Sequence, residues 1–443
     1  MTELRIPTLL ALLALACPGG AHAYVISTGG GGELHWDQTL TFRDSDGRIP
    51  FWIQYEGSGD LSFLHEEALR GGFRAWASIP TADLHFYEQR TDLRDAEFHA
   101  GTQSDSDKKA LLFYIDEEWE QDPFIIAATL VTFEAGGRII DADIGFNADL
   151  HDFTLHDQPG DDEVDLLSVA THEVGHFLGI GHSEFEGATM WARYEGGIEA
   201  RSLSDDDAAA ITYLYPCGDL CRAIVDWRPR LERGCSAVAA APLGWMGLVA
   251  LFGVALLVGR RSRWLPAATL GASVLLHPAG VPDAESTLVE RIDLARMSGA
   301  SDRAVLASVR SVEPFAQGAV WSRITLDVTE DLLGAGPSVV VVEQPGGLLS
   351  APLPSGAIGT IAFGYPEFVP GEQVVVFLAD PERPRVVGLA QGKVHVAPDG
   401  TLERDLSGLG LVQMGAAVGT VSLPASLDGL RWELGASGAR KAE

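Results

Sequence analysis

Residues 171–190 read Thr-His-Glu-Val-Gly-His-Phe-Leu-Gly-Ile-Gly-His-Ser-Glu-Phe-Glu-Gly-Ala-Thr-Met, and this stretch decides the fold prediction. On a helix, His172 and His176 are one turn apart, so both imidazoles project from one face and can bind one metal ion. Gly179 can adopt a positive φ without the cost of a Cβ, which lets the chain leave the helix and bring back His182 as a third ligand. Three neutral imidazoles would hold Zn²⁺ with one position open for water, as in catalytic zinc sites.

Glu173 lies next to the ligand face of the same helix. A carboxylate there can take the proton from a water molecule as that water attacks a carbonyl, while the metal polarises the carbonyl oxygen. The alternative is that these are ordinary core or surface histidines. A pattern of fixed positions seldom arises by chance, so the sequence favours a catalytic zinc site with Glu173 as general base.

The pattern His-Glu-x-x-His-x-x-Gly-x-x-His followed by Met190 resembles the metzincin signature. Ser183, directly after the third histidine, is similar to the matrixin branch, the group that contains the matrix metalloproteinases. Residues 201–216 also resemble the last helix of matrixin catalytic domains. The resemblance covers residues 50–216 and implies an α+β fold with a mixed sheet and a zinc helix. It also implies zinc endopeptidase activity, with Met190 as the apolar floor under the metal.

Strand and helix patterns upstream agree with this architecture. The periodicity predicts, in chain order, a strand at 49–55, a helix at 63–76, strands at 82–87 and 110–115, and a hairpin formed by 127–133 and 139–146. The zinc helix is expected to begin between Asp165 and Ser168, where a carboxylate or hydroxyl can cap the free amides. In the matrixin core that the sequence resembles, a sheet edge above the cleft pairs with an extended peptide.

Two departures from vertebrate matrixins affect the metal and latency predictions. The strand that carries a histidine ligand for a second zinc in that group reads Asp141 to Asn147 here without a histidine, so no second zinc is predicted. The acidic loop 151–163 could hold Ca²⁺, and a solvated acidic surface is the alternative. No cysteine lies between Tyr24 and Cys217, so a propeptide thiol cannot cap the zinc in cis.

The composition is acidic, with 62 acids against 31 bases and a formal net charge of −31. This balance argues against nucleic acid as a partner and suits a soluble exported surface or Ca²⁺ association. The 443 residues are enough for two or three domains. Four cysteines are too few to build a fold from disulfides, so apolar cores must stabilise it.

An export signal is predicted at residues 1–23. A basic residue precedes an apolar run, and Ala21-His22-Ala23 places small residues where a signal peptidase reads them. The mature chain is expected to begin near Tyr24. In the oxidising compartment that export implies, Cys217 and Cys221 are expected to pair.

The composition changes abruptly after the protease domain of residues 24–216. Residues 217–236 form a polar linker, and residues 237–259 run without a charge over a length that spans a bilayer. Arginines follow at once, which predicts a transmembrane helix with a cytoplasmic end and the protease outside. Gly234-Cys235 together with this helix and the arginines also resembles the MYXO-CTERM sorting tails of exported bacterial proteins, which are trimmed at the cysteine. An ordinary stop-transfer helix is the alternative.

Residues 264–281 form a second apolar segment that is short for a bilayer span and would return the chain to the outside. Residues 300–425 then contain short β-branched runs separated by Gly and Pro turns. They predict a small all-β domain, as an antiparallel barrel or sandwich. No His, Cys or carboxylate constellation stands out in it, so a binding or envelope-docking module is the default expectation.

Together these features predict an exported, membrane-anchored zinc endopeptidase of the cell envelope, with ligands His172, His176 and His182 and general base Glu173. Its expected partners are protein or peptide substrates and the membrane. The S1′ pocket is expected within residues 189–203. The competing class is a non-catalytic, zinc-stabilised surface protein that binds peptide or acts in adhesion.

Overall fold

The computed structural model describes residues 23–38, 48–54, 64–91, 109–117, 119, 121–194, 197–218, 287–317, 319–350, 356–406, 409–412 and 423–441. The described residues before Gly218 and those from Thr287 onward pack into one compact unit. The predicted signal peptide, linker, transmembrane helix and second apolar segment lie almost wholly outside these ranges. Within them, no helix is both long enough and apolar enough to cross a membrane.

The N-terminal part contains eleven short or medium strands, three helices and one 3-10 turn among the described residues. In chain order these are β1 (Thr28–Gly29), β2 (Gly32–Glu33), β3 (His35–Trp36), β4 (Ile49–Gln54), α1 (Leu64–Ala77), β5 (Phe86–Thr91), β6 (Leu111–Ile115), β7 (Ile125–Glu134), β8 (Arg138–Asn147), β9 (Asp152–Thr154), β10 (Glu163–Asp165), α2 (Leu166–Phe177), β11 (Arg193–Tyr194), the 3-10 turn Glu199–Arg201 and α3 (Asp205–Leu214).

The N-terminal sheet has the mixed topology that the sequence predicts. Its strand order is β7-β8-β6-β4-β5, and every neighbouring pair is parallel except β7 with β8. Gly136 and Gly137 turn the chain between these two strands with φ angles of 93° and 85°, which glycine adopts without Cβ strain. The predicted hairpin is therefore confirmed.

The two long N-terminal helices pack together and share one apolar core with the sheet. Phe73 of α1 meets Phe177 of α2 edge-on, with ring centroids 5.3 Å apart. The indole Nε1–H of Trp76 donates to the carbonyl of Thr171 over 2.8 Å. Because both contacts are buried, α1 fixes the position of the helix that carries the predicted zinc ligands.

One predicted strand is displaced along the sequence. The prediction placed it at 82–87, whereas β5 spans Phe86–Thr91. Ala82 instead forms an isolated bridge with Pro216, and the Asp83 N–H donates to the carbonyl of Tyr215 over 2.8 Å. The residues before β5 therefore bind the end of the N-terminal part, and pairing with β4 starts only at Phe86.

The described residues of the C-terminal part are rich in strands and contain two helices and one 3-10 turn. In chain order these are β12 (Thr287–Glu290), α4 (Leu294–Ala300), β13 (Arg303–Gln317), β14 (Ala319–Leu333), β15 (Val339–Pro345), β16 (Gly347–Ser350), β17 (Ala357–Ala362), β18 (Gln373–Ala379), β19 (Arg385–Val386), the 3-10 turn Leu389–Gly392, β20 (Lys393–Val396), β21 (Leu402–Glu403), β22 (Gly410–Val412) and α5 (Leu427–Lys441).

A separate antiparallel sheet forms the body of this C-terminal part, in agreement with the predicted β-rich region. Its order is β15-β14-β13-β18-β20-β21, and β19 pairs with β18 beside β20. Among the described residues the path has two ends, at β15 and β21, so the sheet is open there. The barrel that the sequence suggested as one of two forms does not close within these residues.

Other C-terminal strands extend the N-terminal sheet. β12 and β17 both pair antiparallel with β7, and β22 pairs in parallel with both β12 and β11. The combined sheet has 11 strands. The resemblance implied that a sheet edge above the cleft can pair with an extended peptide. In the structure, residues 287–290 and 357–362 of the same chain pair with the outer edge of β7.

Candidate metal centre and catalytic site

The helix α2 begins where the sequence predicts. Asp165 is its N-cap, and the carboxylate Oδ2 accepts the N–H of Ser168 over 2.8 Å. The guanidinium of Arg201 donates to both oxygens of Asp165, at 2.9 Å from Nε and 2.5 Å from Nη2. This buried cap therefore joins the start of α2 to the 3-10 turn that contains Arg201.

The chain leaves α2 through Gly179, which has the predicted positive φ, at 94°. A Cβ at this position would lie 2.2 Å from the carbonyl oxygen of Leu34, between β2 and β3, so only glycine fits here. The exit returns the chain toward the helix and brings His182 to the ligand face. His182 therefore lies where one metal ion could bind it together with His172 and His176, and its role as a ligand stays a prediction.

The three predicted ligands converge. His172 Nε2 lies 3.0 Å from His176 Nε2 and 3.3 Å from His182 Nε2. A tetrahedral zinc with Zn–N bonds of about 2.0–2.1 Å would place its nitrogen ligands about 3.3 Å apart. The three side chains thus fit a single zinc ion, and among the described residues they form the one group of three or more His, Cys or acidic side chains close enough to share a metal.

Backbone carbonyls fix two of the imidazoles in the tautomer that a metal needs. His172 Nδ1 donates to the carbonyl of Thr189 over 2.7 Å, and His176 Nδ1 donates to that of Ile180 over 2.8 Å. Their Nε2 atoms therefore carry lone pairs that face one another, an arrangement that a cation stabilises. Burial lowers the pKa of His172 to about 4 and that of His176 well below its usual range. Both side chains are therefore neutral ligands near pH 7.

Glu173 is fully buried beside these ligands. Its Oε2 accepts the hydroxyl hydrogen of Thr129 over 2.5 Å, and the carboxylate also accepts the backbone N–H of Leu288. Among the described residues, Oε1 has no hydrogen-bond partner. Burial raises the pKa of Glu173 to about 8, against the opposing effect of those two hydrogen bonds. Burial thus favours the protonated form of this carboxyl group in the absence of a nearby cation.

Met190 lies under α2, as the resemblance implied. It is buried, and a Cβ on Gly175 would lie 2.2 Å from its Sδ atom. Asp207 stabilises this turn, because its carboxylate accepts hydrogen bonds from the N–H groups of Thr189 over 2.8 Å and Met190 over 3.0 Å. The carbonyl of the same Thr189 receives His172 Nδ1. Asp207 therefore positions a metal ligand through the Met190 turn.

The acidic loop 151–163 makes contacts within itself and with the 3-10 turn Glu199–Arg201. Asp157 forms an ion pair with Arg201, with Oδ1 2.8 Å from Nη1, and Glu163 accepts the N–H of Gly160 over 2.8 Å. Cys217 is in a disulfide, and its expected partner Cys221 lies outside the described residues.

The three histidines lie on one helix and on the loop that leaves it, as in the zinc peptidase site that the sequence predicts. Residues 19–216 match the family model described as Matrixin, which supports a matrixin-type metzincin domain in this part of the chain. The match covers a little under half of the chain. It supports a metalloendopeptidase, as do the relatives described next.

Matrix metalloproteinases are among the similar proteins. The chain is 49% identical over 59 residues to Metalloendoproteinase 5-MMP of Arabidopsis thaliana, covering 13% of this chain and 16% of the relative. It is 48% identical over 56 residues to Matrilysin of Rattus norvegicus, covering 12% and 21%. It is 46% identical over 52 residues to Karilysin of Tannerella forsythia, covering 12% and 11%. The chain therefore spans at most about a fifth of the length of these relatives.

Sequence reasoning missed several residues of the site. Asp207 had a local signal, because Ser204-x-x-Asp207 has the spacing of a capping box, which the structure contains. Thr129 on β7 had none, since it meets Glu173 across 44 residues of sequence. Phe363, whose ring stacks on His176 with centroids 4.8 Å apart, comes from the C-terminal part. No pattern in the sequence links Thr129 or Phe363 to the histidine motif.

Proposed function

We propose that residues 24–216 act as a zinc-dependent endopeptidase that hydrolyses peptide bonds in protein or peptide substrates. The Nε2 atoms of His172, His176 and His182 converge, and this observation carries the proposal. Buried Glu173 lies on the same helix as the first two histidines. Three imidazole ligands leave one position of a tetrahedral zinc for water or substrate. A structural zinc site would instead be closed by a fourth protein ligand.

Each residue of the site has a defined part in this reaction. Bound zinc would supply Lewis acidity that activates a water molecule and polarises the scissile carbonyl. His172 and His176 keep their lone pairs aimed at the metal position, because their Nδ1–H groups donate to backbone carbonyls. Glu173 accepts the proton of the attacking water and passes it to the leaving amine. Thr129 orients the Glu173 carboxylate through its hydroxyl.

An extended substrate would lie antiparallel along β7. The short strand β12 supports this path, because it pairs antiparallel with β7 and its Leu288 N–H reaches the Glu173 carboxylate. A peptide in the same register would bring its backbone to the general base. The S1′ pocket is expected on the opposite side, within residues 189–203.

Substitution of the general base tests the proposal. Glu173→Gln is expected to retain zinc and to lose cleavage by about 10²- to 10⁴-fold, the usual contribution of general base catalysis. Glu184→Gln, at an exposed position two residues beyond His182, is the matched control and should cut as the unchanged chain does. Equal, measurable and chelator-sensitive cleavage by the two variants would exclude Glu173 as the base.

Export and anchoring are proposed from the sequence alone. We infer that residues 1–23 direct export and that residues 237–259 anchor the protein in a membrane with the protease outside the cytoplasm. Trimming at Cys235 would move the protease to the cell surface. Recovery of the full chain, signal included, in the cytosol of expressing cells would overturn the export proposal.

The loop 151–163 is the candidate Ca²⁺ site, which calcium titration of the purified chain tests.

A further inference from the structure

The outer edge of β7 is paired along its length with strands from the C-terminal part. Residues 125–128 of this edge pair with β12, and residues 130–134 pair with β17. Thr129 lies between the two and donates its hydroxyl to Glu173. A substrate strand would need the same backbone N–H and C=O groups of β7. It therefore cannot bind along this edge while β12 and β17 are in place.

A third C-terminal strand covers the other side of the site. β22 pairs in parallel with β11, which follows the Met190 turn, and the Leu411 N–H donates to the carbonyl of Ala192 over 3.0 Å. β22 also pairs with β12, so the sheet runs in the order β11-β22-β12-β7. Two strands of the C-terminal part thus fill the space between β7 and β11.

The reacting groups themselves are covered. The exposed fractions of His172, His176 and His182 are 3%, 0% and 4%, and that of Glu173 is 0%. The ring of Phe363 stacks on the imidazole of His176, with centroids 4.8 Å apart and an interplanar angle of 26°. These side chains are therefore almost wholly covered in this arrangement.

We infer that the C-terminal β-rich part is a built-in inhibitor, in which β12, β17 and Phe363 occupy the substrate path and keep the peptidase latent until they are displaced. This inference rests on the proposed function and names the regulation of the same site. It gives the chain a latency that needs no thiol, and the sequence has no cysteine between Tyr24 and Cys217.

Polar contacts fasten the C-terminal part next to β7. Asp122 Oδ2 accepts the N–H of Gly388 over 2.6 Å. The hydroxyl of Tyr365 donates to Gln121 Oε1 over 3.0 Å, and a further backbone bond of 2.7 Å joins β12 to Phe124. Apolar side chains of β12, β22 and Phe363 also belong to the core that contains α2. Displacement breaks both a sheet edge and part of a core, so it requires a specific trigger such as cleavage or a binding partner.

Removal of one covering side chain tests the inference in the full chain. Phe363 directly follows β17 and packs in the core that contains α2, so Phe363→Ala is expected to weaken the attachment of β17 to β7. The rate of cleavage of a quenched fluorescent peptide should then rise at least tenfold over the unchanged chain. The cobalt-loaded variant should also bind acetohydroxamate at least tenfold more tightly, followed by its visible absorption, because the metal position becomes accessible. Phe368→Ala is the matched control. Its ring packs near Lys393 in the C-terminal sheet, so both values should stay within twofold.

A reversible lock provides a second test. The hydroxyl oxygens of Thr132 on β7 and Thr360 on β17 are 3.4 Å apart, and the two residues are paired across the strands. Cysteines at both positions can form a disulfide at this separation. In the Phe363→Ala background, oxidation of this pair should return cleavage and hydroxamate binding to the values of the unchanged chain. Reduction should restore the gain, and each single cysteine variant controls for the reductant.

The outcomes separate this inference from the proposed function. Equal cleavage and equal hydroxamate binding by the unchanged chain and Phe363→Ala would overturn the latency, while cleavage itself would support the peptidase. Tighter hydroxamate binding by Phe363→Ala without any cleavage would support the covering role and count against proteolysis. Full activity of the oxidised lock would also overturn the latency.

Discussion

Asp207 is expected to stabilise the metal centre without touching the metal. Its carboxylate accepts four hydrogen bonds, from the N–H groups of Thr189, Met190 and Ser204 and from the Ser204 hydroxyl. The carbonyl of Thr189 in turn accepts the hydrogen bond from His172 Nδ1–H. Asp207→Ala removes all four bonds and frees the turn that orients this ligand.

The size of the effect follows from which donors lose their acceptor. Ser204 is partly exposed, so water can replace the lost bonds to its N–H and hydroxyl. Thr189 and Met190 are only 2% and 1% exposed, so their N–H groups stay buried and unpaired. At about 1–3 kcal/mol for each buried unpaired donor, the free energy of unfolding should fall by about 4 kcal/mol. Loss of a contact that positions a metal ligand without binding the metal should also weaken zinc binding by about 10- to 100-fold.

Urea unfolding of the zinc-loaded chain and competition with a zinc indicator measure the two effects. Asp205→Ala, at an exposed position in the first turn of the same helix, is the matched control. It should cost less than about 1 kcal/mol, from the helix dipole alone, and leave zinc affinity unchanged. If Asp207→Ala behaves like Asp205→Ala in both measurements, Asp207 does not position the ligand His172.

Three further changes have defined outcomes. Gly175→Ala should lower the free energy of unfolding by about 1–3 kcal/mol in urea, because the new Cβ would lie 2.2 Å from Met190 Sδ. The free energy of unfolding should fall by about 3 kcal/mol as pH rises from about 4 to about 6, since burial raises the pKa of Asp122 to about 6 despite the Gly388 and Phe124 N–H bonds. Asp122→Asn should flatten that part of the profile. Zinc at 100 times its dissociation constant should add about 2.7 kcal/mol to the free energy of unfolding, and chelation should remove it.

Each of these predictions has its own control. Gly299→Ala places its Cβ in open space on α4 and should not destabilise, so an equal loss in both glycine variants would contradict the clash. Asp116→Asn, at an exposed position, should keep the pH profile of the unchanged chain, and a persistent slope in Asp122→Asn would contradict the assignment. His182→Gln should lose the zinc effect, and an undiminished effect would contradict the three-ligand site.

The sequence predicted the metal centre because its determinants are local. His172, His176, Gly179 and His182 lie within one helix and its exit, where helical spacing and one positive φ fix their relation. The cap at Asp165 was equally local. For the same reason the hairpin of β7 and β8 was predicted, since two adjacent glycines mark its turn.

The covered cleft could not be predicted, because its contacts join distant residues. β12 is only four residues long, and Thr-Leu-Val-Glu carries no distinctive period. It becomes a strand because β7 offers unpaired backbone groups at its outer edge, which is a property of the folded N-terminal part. Phe363 reads as one apolar residue after a short strand. Only the fold places its ring on His176.

Cleavage of a denatured-protein mixture tests directly whether the chain is a zinc endopeptidase with Glu173 as its base. The zinc-loaded full chain and its Phe363→Ala form would be compared, with cut sites mapped by mass spectrometry. We expect cuts that disappear with a chelator and with Glu173→Gln in the same background while zinc stays bound. Cutting that survives in Glu173→Gln, or no cutting by either folded, zinc-loaded form, would contradict this assignment.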